Sequence, residues 1–171
     1  MEGRREGFVI AGTELAVQHD KLVVGAAAPD FRMTANNWAP RTLADYRGFV
    51  KVVSVVPSVD TSVCSAQMRR FNEAASALGE RVVVLGVSAD LPYAQSRWCA
   101  AEGIARVETL SDHKDMLFSD RYGVHVRDAR LCQRAVFVIG ADDRVAYAEY
   151  VPNIDFEVNF AAALQAAAAL I

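Results

Sequence analysis

The sequence predicts a single α/β domain built on a mixed central sheet. Three observations lead there. "FVKVVSVV" (49–56) and "RVVVLGVSAD" (81–90) are near-continuous apolar, β-branched runs, the pattern of strands buried on both faces. A segment with helical periodicity follows each of them. "RAVFVIG" (134–140) and "RVAYAEYV" (144–151) flank the turn "ADD" and read as a late hairpin before a final helix. At 171 residues the chain fills one core and falls short of two ordinary domains, so the domain is assigned to 1–171.

The elements follow in order. "FVIAGTELAV" places two short strand-like runs around Gly12, a hairpin over about 8–17. "VVGAAAPDFRMTANN" is turn-rich with a brief extended piece, and "TLADYRG" is a short connector. Over 62–78, Cys64, Met68, Phe71, Ala75 and Leu78 recur at steps of four, three, four and three, which is one face of a helix. In "LPYAQSRWCAAEG" a second face carries Leu91, Ala94, Trp98 and Ala101, and Gly103 is a stop signal. "DHKDMLFSDRYG" is read as helical, and the last helix is expected from about Asp155.

Composition excludes several classes. The chain is 53% hydrophobic and 23% charged, as in globular proteins, and its net charge of −3 gives no reason to expect nucleic acid or an anionic membrane as partner. No run approaches the roughly eighteen apolar residues of a membrane span. The ending "FAAALQAAAALI" reads as an Ala-rich docking helix, and the beginning "MEGRREGFVIAG" lacks the apolar core of a signal peptide. The expected location is therefore cytoplasmic, where lasting disulfides are rare, and three cysteines point to redox chemistry or to packing.

Cys64 is the position where these two readings compete. It falls in the first turn of the 62–78 helix, with Asp60, Thr61 or Ser62 as the cap. Unpaired N–H groups there favour a thiolate, the nucleophilic form of sulfur. Cys64 also lies on the apolar face with Met68 and Phe71, as a packing cysteine would. Pro57 would shape the preceding loop rigidly, and Thr61 offers a hydroxyl beside the sulfur. A thiolate, a hydroxyl and helix amides around one small pocket suit an O–O substrate, whose leaving oxygen gains charge during attack.

Pro57-x-x-x-Thr61-x-x-Cys64 matches the peroxidatic motif of the peroxiredoxins. Together, "PSVDTSVCSAQMRRFN" and "SADLPYAQSRWCAAEGI" resemble the atypical two-cysteine branch of that family, over nearly the whole chain from about Gly7. The resemblance implies a thioredoxin-like fold with an N-terminal hairpin, usually a homodimer. It implies that Cys64 attacks a hydroperoxide and becomes a sulfenic acid. It further implies that Cys99 resolves this as an intramolecular disulfide and that thioredoxin reduces the product. Arg134 matches the family's active-site arginine. No metal, flavin or haem is implied. A peroxide sensor, a binding protein that has lost activity and a bacterioferritin-comigratory-type peroxiredoxin are the alternatives.

Cys99 sits beside the apolar stripe near the C-terminal end of its helix, where the dipole disfavours a thiolate. A disulfide needs Cα atoms within roughly 4.4–6.8 Å, so one or both helices are expected to unwind locally during the cycle, the segment 91–103 foremost. If residues 132–134 are extended, Cys132 and Arg134 point to one side, near the site or a subunit interface. His113 is expected to start a helix, and His19 and His125 to lie in surface segments. Arg69 and Arg70 read as a solvated face, while Tyr93 and Trp98 are either an apolar wall or core. The chain has no C-x-x-C pair, no Gly-rich phosphate loop and no complete nucleophile elbow.

Overall fold

The computed structural model describes residues 6–171; the charged first five residues, part of the stretch read for a signal peptide, lie outside them. Strands β1 (Phe8–Ile10) and β2 (Thr13–Leu15) form the expected N-terminal hairpin, with Phe8 paired to Leu15. A seven-stranded sheet follows. Its strands are β3 (Arg32–Ala35), β4 (Pro40–Thr42), β5 (Val50–Val55), β6 (Val82–Ser88), β7 (Val107–Ser111), β10 (Ala135–Ile139) and β11 (Val145–Tyr150). A small separate pair, β8 (His125–Val126) and β9 (Leu131–Cys132), precedes β10.

The sheet order is β11-β10-β5-β6-β7-β3-β4. The centre, β5-β6-β7, is parallel, and both flanks are antiparallel. Every residue of β5 and of β10 is buried, which explains why their sequences do not alternate with polar residues. One face packs Val52, Val84, Val136 and Val138 against helices α1 (Ser62–Leu78) and α4 (Phe160–Ala168). The other packs Val53, Val55, Leu85 and Phe137 against α3 (Leu117–Arg121). α1 lies close over β6: a Cβ at Gly86 would stand 2.7 Å from the methyl of Met68.

Helix α2 (Pro92–Glu102) departs from the expected face. Pro92, Gln95 and Trp98 are buried, whereas Leu91 is 52% exposed. The cause is polar: Gln95 Nε2 donates to Ser88 Oγ at 2.9 Å and to the Leu110 carbonyl at 3.0 Å, which brings Gln95 onto the buried face beside the expected Trp98. Gly103 ends it in the left-handed conformation, as its position suggested. Of "DHKDMLFSDRYG" only 117–121 is helical, because the Asp112 carboxylate accepts the N–H groups of Phe118 and Ser119 and so starts the helix late. The last helix begins at Phe160 rather than near Asp155; Asn159 caps it through the Ala162 N–H at 3.0 Å. β7, with Glu108 and Thr109 at its middle, was not anticipated.

Candidate active site

β5 ends at Val55, and the Val56 N–H donates to the Val87 carbonyl at 2.9 Å before the chain turns at the buried Pro57. The Asp90 carboxylate then holds the loop. It accepts from Ser58 Oγ at 2.8 Å, from the Val59 N–H at 2.9 Å and from Ser88 Oγ at 2.6 Å. Thr61 is the cap of α1: its extended backbone lets the hydroxyl accept the Cys64 N–H at 3.4 Å. Cys64 is thus fixed in the first helical turn, fully buried beside Val59, Met68 and Phe71.

Arg134, just before β10, is also fully buried, and its side chain reaches Cys64. Nη2 donates to Cys64 Sγ at 3.2 Å and to the Ile154 carbonyl at 2.7 Å, while Nη1 donates to Gln67 Oε1 at 2.8 Å. These acceptors are a sulfur, a backbone carbonyl and an amide, none of them a carboxylate. The guanidinium charge is therefore directed at the sulfur rather than cancelled beside it. Gln67 is oriented in turn by donating from Nε2 to Ser54 Oγ at 2.8 Å. Ile154 is held by the N-terminal hairpin, since its N–H donates to the Val9 carbonyl at 3.0 Å and the Val9 N–H donates to the Pro152 carbonyl at 2.8 Å.

The structure thus brings Cys64, Thr61 and Arg134 together, with Pro57 at the mouth of their loop. Cys99 stands apart. It is half-buried, its Sγ lies 3.5 Å from Thr109 Oγ1, and that hydroxyl donates to Asn36 Oδ1 at 2.8 Å. With Asn36, Arg41, Ile104 and Glu108 it lines a cavity of about 250 Å³. All three thiols are unbonded.

Cys132 corrects an expectation. It packs in the core on the opposite face of the sheet from Cys64, with its Sγ 3.2 Å from Ser119 Oγ. Strand alternation does not carry from Cys132 to Arg134, because β9 ends at Cys132 and β10 begins at Ala135. Burial, followed by the nearby Asp112 charge, pushes the Cys132 thiol far up, against the opposing bond from Ser119. His125 is likewise buried rather than superficial, its Nδ1 2.6 Å from Asp120 Oδ1. His113 lies in a turn before α3. Burial lowers its pKa, with help from Lys114 and Arg130. Trp98 belongs to the core, whereas Tyr93 is 70% exposed. Among the described residues, no group of three His, Cys, Asp or Glu side chains is placed to hold a metal, and no helix is long and apolar enough to cross a membrane.

Gln67, Ser54, Asp90 and Ile154 were not picked out from sequence. Gln67 left a signal: three residues after Cys64, it is a polar residue one turn along the buried face.

Residues 24–148 match the AhpC/TSA family. The chain is 47% identical over 160 residues to the thiol peroxidase of Bacillus subtilis (strain 168), covering 94% of this chain and 95% of that protein. It is 51% identical over 141 residues to the thiol peroxidase of Oceanobacillus iheyensis, covering 82% and 85%. A peroxiredoxin-like protein from Aquifex aeolicus superposes over the full length of both chains with a TM-score of 0.89 at 30% identity. The thiol peroxidase from Chromobacterium violaceum, at 19% identity and 95% coverage of each chain, shares the fold with a TM-score of 0.84. The shared architecture is the thioredoxin-like fold of the peroxiredoxins.

Proposed function

Because this chain belongs to the AhpC/TSA family and is an enzyme that reduces peroxides at the expense of a thiol, we propose that Cys64 is the thiol that attacks. The observation that carries this reading is the fully buried Arg134 guanidinium, 3.2 Å from Cys64 Sγ and without a carboxylate among its hydrogen-bond acceptors. The sulfur attacks the terminal oxygen of a hydroperoxide. The O–O bond breaks, Cys64 becomes a sulfenic acid, and the leaving oxygen takes up a proton as water or an alcohol. Arg134 and the Thr61 hydroxyl stabilise the charge that develops on that oxygen. Pro57 and the Asp90 clamp keep the loop closed around it.

Cys99 then resolves the sulfenic acid. Its sulfur bonds to Cys64 Sγ, the S–O bond breaks, and water leaves with the Cys99 proton. The reductant is a dithiol protein of the thioredoxin class, which opens the disulfide by two exchange steps. The resemblance to the two-cysteine peroxiredoxins supports that reductant, a homodimer and a cytoplasmic location.

The test is non-reducing peptide mapping after one equivalent of hydroperoxide, followed by turnover with thioredoxin, its reductase and NADPH. A Cys64–Cys99 linked peptide with sustained NADPH consumption is expected. A bridge through Cys132, or a lasting sulfenic acid in the wild-type chain, overturns the assignment of Cys99. Undiminished activity of Cys64→Ser overturns that of Cys64.

A further inference from the structure

Ser65 directly follows Cys64, and Trp98 directly precedes Cys99. Trp98 Nε1 donates to Ser65 Oγ at 3.0 Å. One hydrogen bond therefore joins the two thiol-bearing helices at the residues adjoining each thiol. Its neighbours differ in kind. Arg97 pairs with Asp60 at 3.2 Å, but those side chains are 70% and 62% exposed. Arg69 pairs with Glu102 at 2.8 Å, with 46% and 34% exposed. Such surface pairs hold little. The Trp98 ring, 6% exposed, is seated in the same cluster as Cys64, Met68 and Val107.

The thiols themselves face apart. Cys64 Sγ is engaged by Arg134 at the foot of β10, and Cys99 Sγ by Thr109 on β7. Between these strands lie β5 and β6, three sheet spacings in all, or about 14 Å. A disulfide needs Cα atoms within roughly 4.4–6.8 Å. Cys99 Sγ must therefore leave Thr109 before it can act, and because Trp98 adjoins Cys99, movement of this end of α2 takes the Trp98 indole from its acceptor.

We propose that the Trp98–Ser65 hydrogen bond is the latch that holds the Cys99 end of α2 against α1 in the resting position and sets the rate at which Cys99 reaches oxidised Cys64. Gln95 meanwhile anchors the start of the helix to the sheet. Trp98 and Ser65 are positioning residues, and the proposal rests on the reading of Cys99 as the resolving thiol. The latch acts on a competition. Cys64–SOH either condenses with Cys99–SH to give the disulfide and water, or meets a second hydroperoxide and takes its oxygen to become a sulfinic acid, releasing water or an alcohol. A slower release of α2 gives the second hydroperoxide more time.

If release precedes bond formation, the rate follows the population of the released state, and one hydrogen bond changes that population about fivefold. The experiment mixes reduced enzyme with one equivalent of hydrogen peroxide. An alkylating reagent quenches it at intervals, and intact mass separates thiol, sulfenic acid and disulfide. Ser65→Ala and Trp98→Phe each remove one partner of the bond. Each is expected to form the disulfide about fivefold faster, the double variant no faster than the singles, and Ser65→Thr at the wild-type rate. Oxidation of Cys64 in Ser65→Ala is expected to be unchanged. The sulfinic fraction in excess peroxide is expected to fall in step with faster closure.

Unchanged or slower disulfide formation in both single variants overturns the latch, as does a Ser65→Thr that behaves like Ser65→Ala. Failure of the wild-type chain to form a Cys64–Cys99 bridge is a separate outcome, visible in its own sample, and removes the underlying reading of Cys99.

Discussion

Replacing Arg134 by Met separates what the guanidinium does for the chemistry from what it does for the fold. Met keeps much of the volume and removes the charge. With Cys64 Sγ 3.2 Å from Nη2, the attraction between a thiolate and the guanidinium is about 5 kcal/mol at an effective dielectric of about 20. Part of that charge passes to the leaving oxygen during attack, where the same group would stabilise it, so the loss is not recovered in the transition state. Oxidation of Cys64 should slow by about 10²- to 10³-fold, corresponding to roughly 3–4 kcal/mol.

Stability should respond differently. Burying a guanidinium without a carboxylate costs several kcal/mol, roughly, and Met releases that penalty. Against this, Gln67 Oε1 and the Ile154 carbonyl each lose a donor, at about 1–3 kcal/mol apiece. The two effects offset, leaving a change within about 2 kcal/mol. The assay pairs rapid-mixing oxidation of the reduced enzyme with urea unfolding of the same samples. A rate within tenfold of wild type would show that the charge is not the driver. A stability loss above about 4 kcal/mol would make Arg134 a structural residue whose effect on rate is indirect.

Three other predictions follow from the same geometry. Gln67→Met removes the Nη1 acceptor and leaves Ser54 Oγ without its donor; it should cost about 2–3 kcal/mol in urea unfolding and slow Cys64 oxidation at least about tenfold. Asp112 has its pKa pushed up from 3.8 to about 6 by burial, against the bonds from Ser119 and Phe118. Its folded pKa lies above the unfolded value, so its contribution is present below about pH 4 and is lost as pH rises through about 6, a change of about 3 kcal/mol; urea unfolding across that window should show the decline, and Asp112→Asn should flatten it. Asp143→Ala leaves the fully buried Lys51, among the described residues, with the Gly140 carbonyl alone as partner, 3.0 Å from Nζ. It should destabilise by about 3 kcal/mol, read by urea unfolding, yet leave Cys64 oxidation unchanged, because Lys51 sits at the opposite end of β5 from Pro57.

The sequence carried the centre of this fold well because β5, β6, β10 and α1 are set by strong local patterns. α1 spans Ser62–Leu78, the range its periodicity marks. The misses share a different cause. β7 carries Glu108 and Thr109, whose polar side chains are taken up by partners elsewhere in the chain, Glu108 accepting from Arg41 Nε at 3.0 Å and Thr109 donating to Asn36 Oδ1 at 2.8 Å, so no apolar run marks it. α2 and α3 take their registers from side-chain bonds, of Gln95 to the Leu110 carbonyl fifteen residues on and of Asp112 to the Phe118 and Ser119 N–H groups, and hydrophobic periodicity does not register such polar bonds. The candidate site divides in the same way. Cys64, Thr61 and Pro57 lie within eight consecutive residues, whereas Gln67's partners Ser54 and Arg134 come from two other parts of the chain.

The N-terminal hairpin shows how far such remote support extends. β1 is short, but it fixes Pro152 and Ile154 through two backbone hydrogen bonds, and the Ile154 carbonyl is one of the three acceptors of Arg134. Phe8, Val17 and Val126 seal this corner with their own small core, against which Ile154 packs. The hairpin therefore bears on the direction of a charge beside Cys64 without touching the thiol. Cys99 is built on the opposite principle. Its helix is tied to α1 by the part-buried Trp98–Ser65 hydrogen bond and the exposed Arg69–Glu102 pair, and to the loop before α1 by the exposed Arg97–Asp60 pair. A preformed attacking thiol and a releasable resolving one are what the two halves of the cycle require: the first step gains from fixed geometry, and the second from motion.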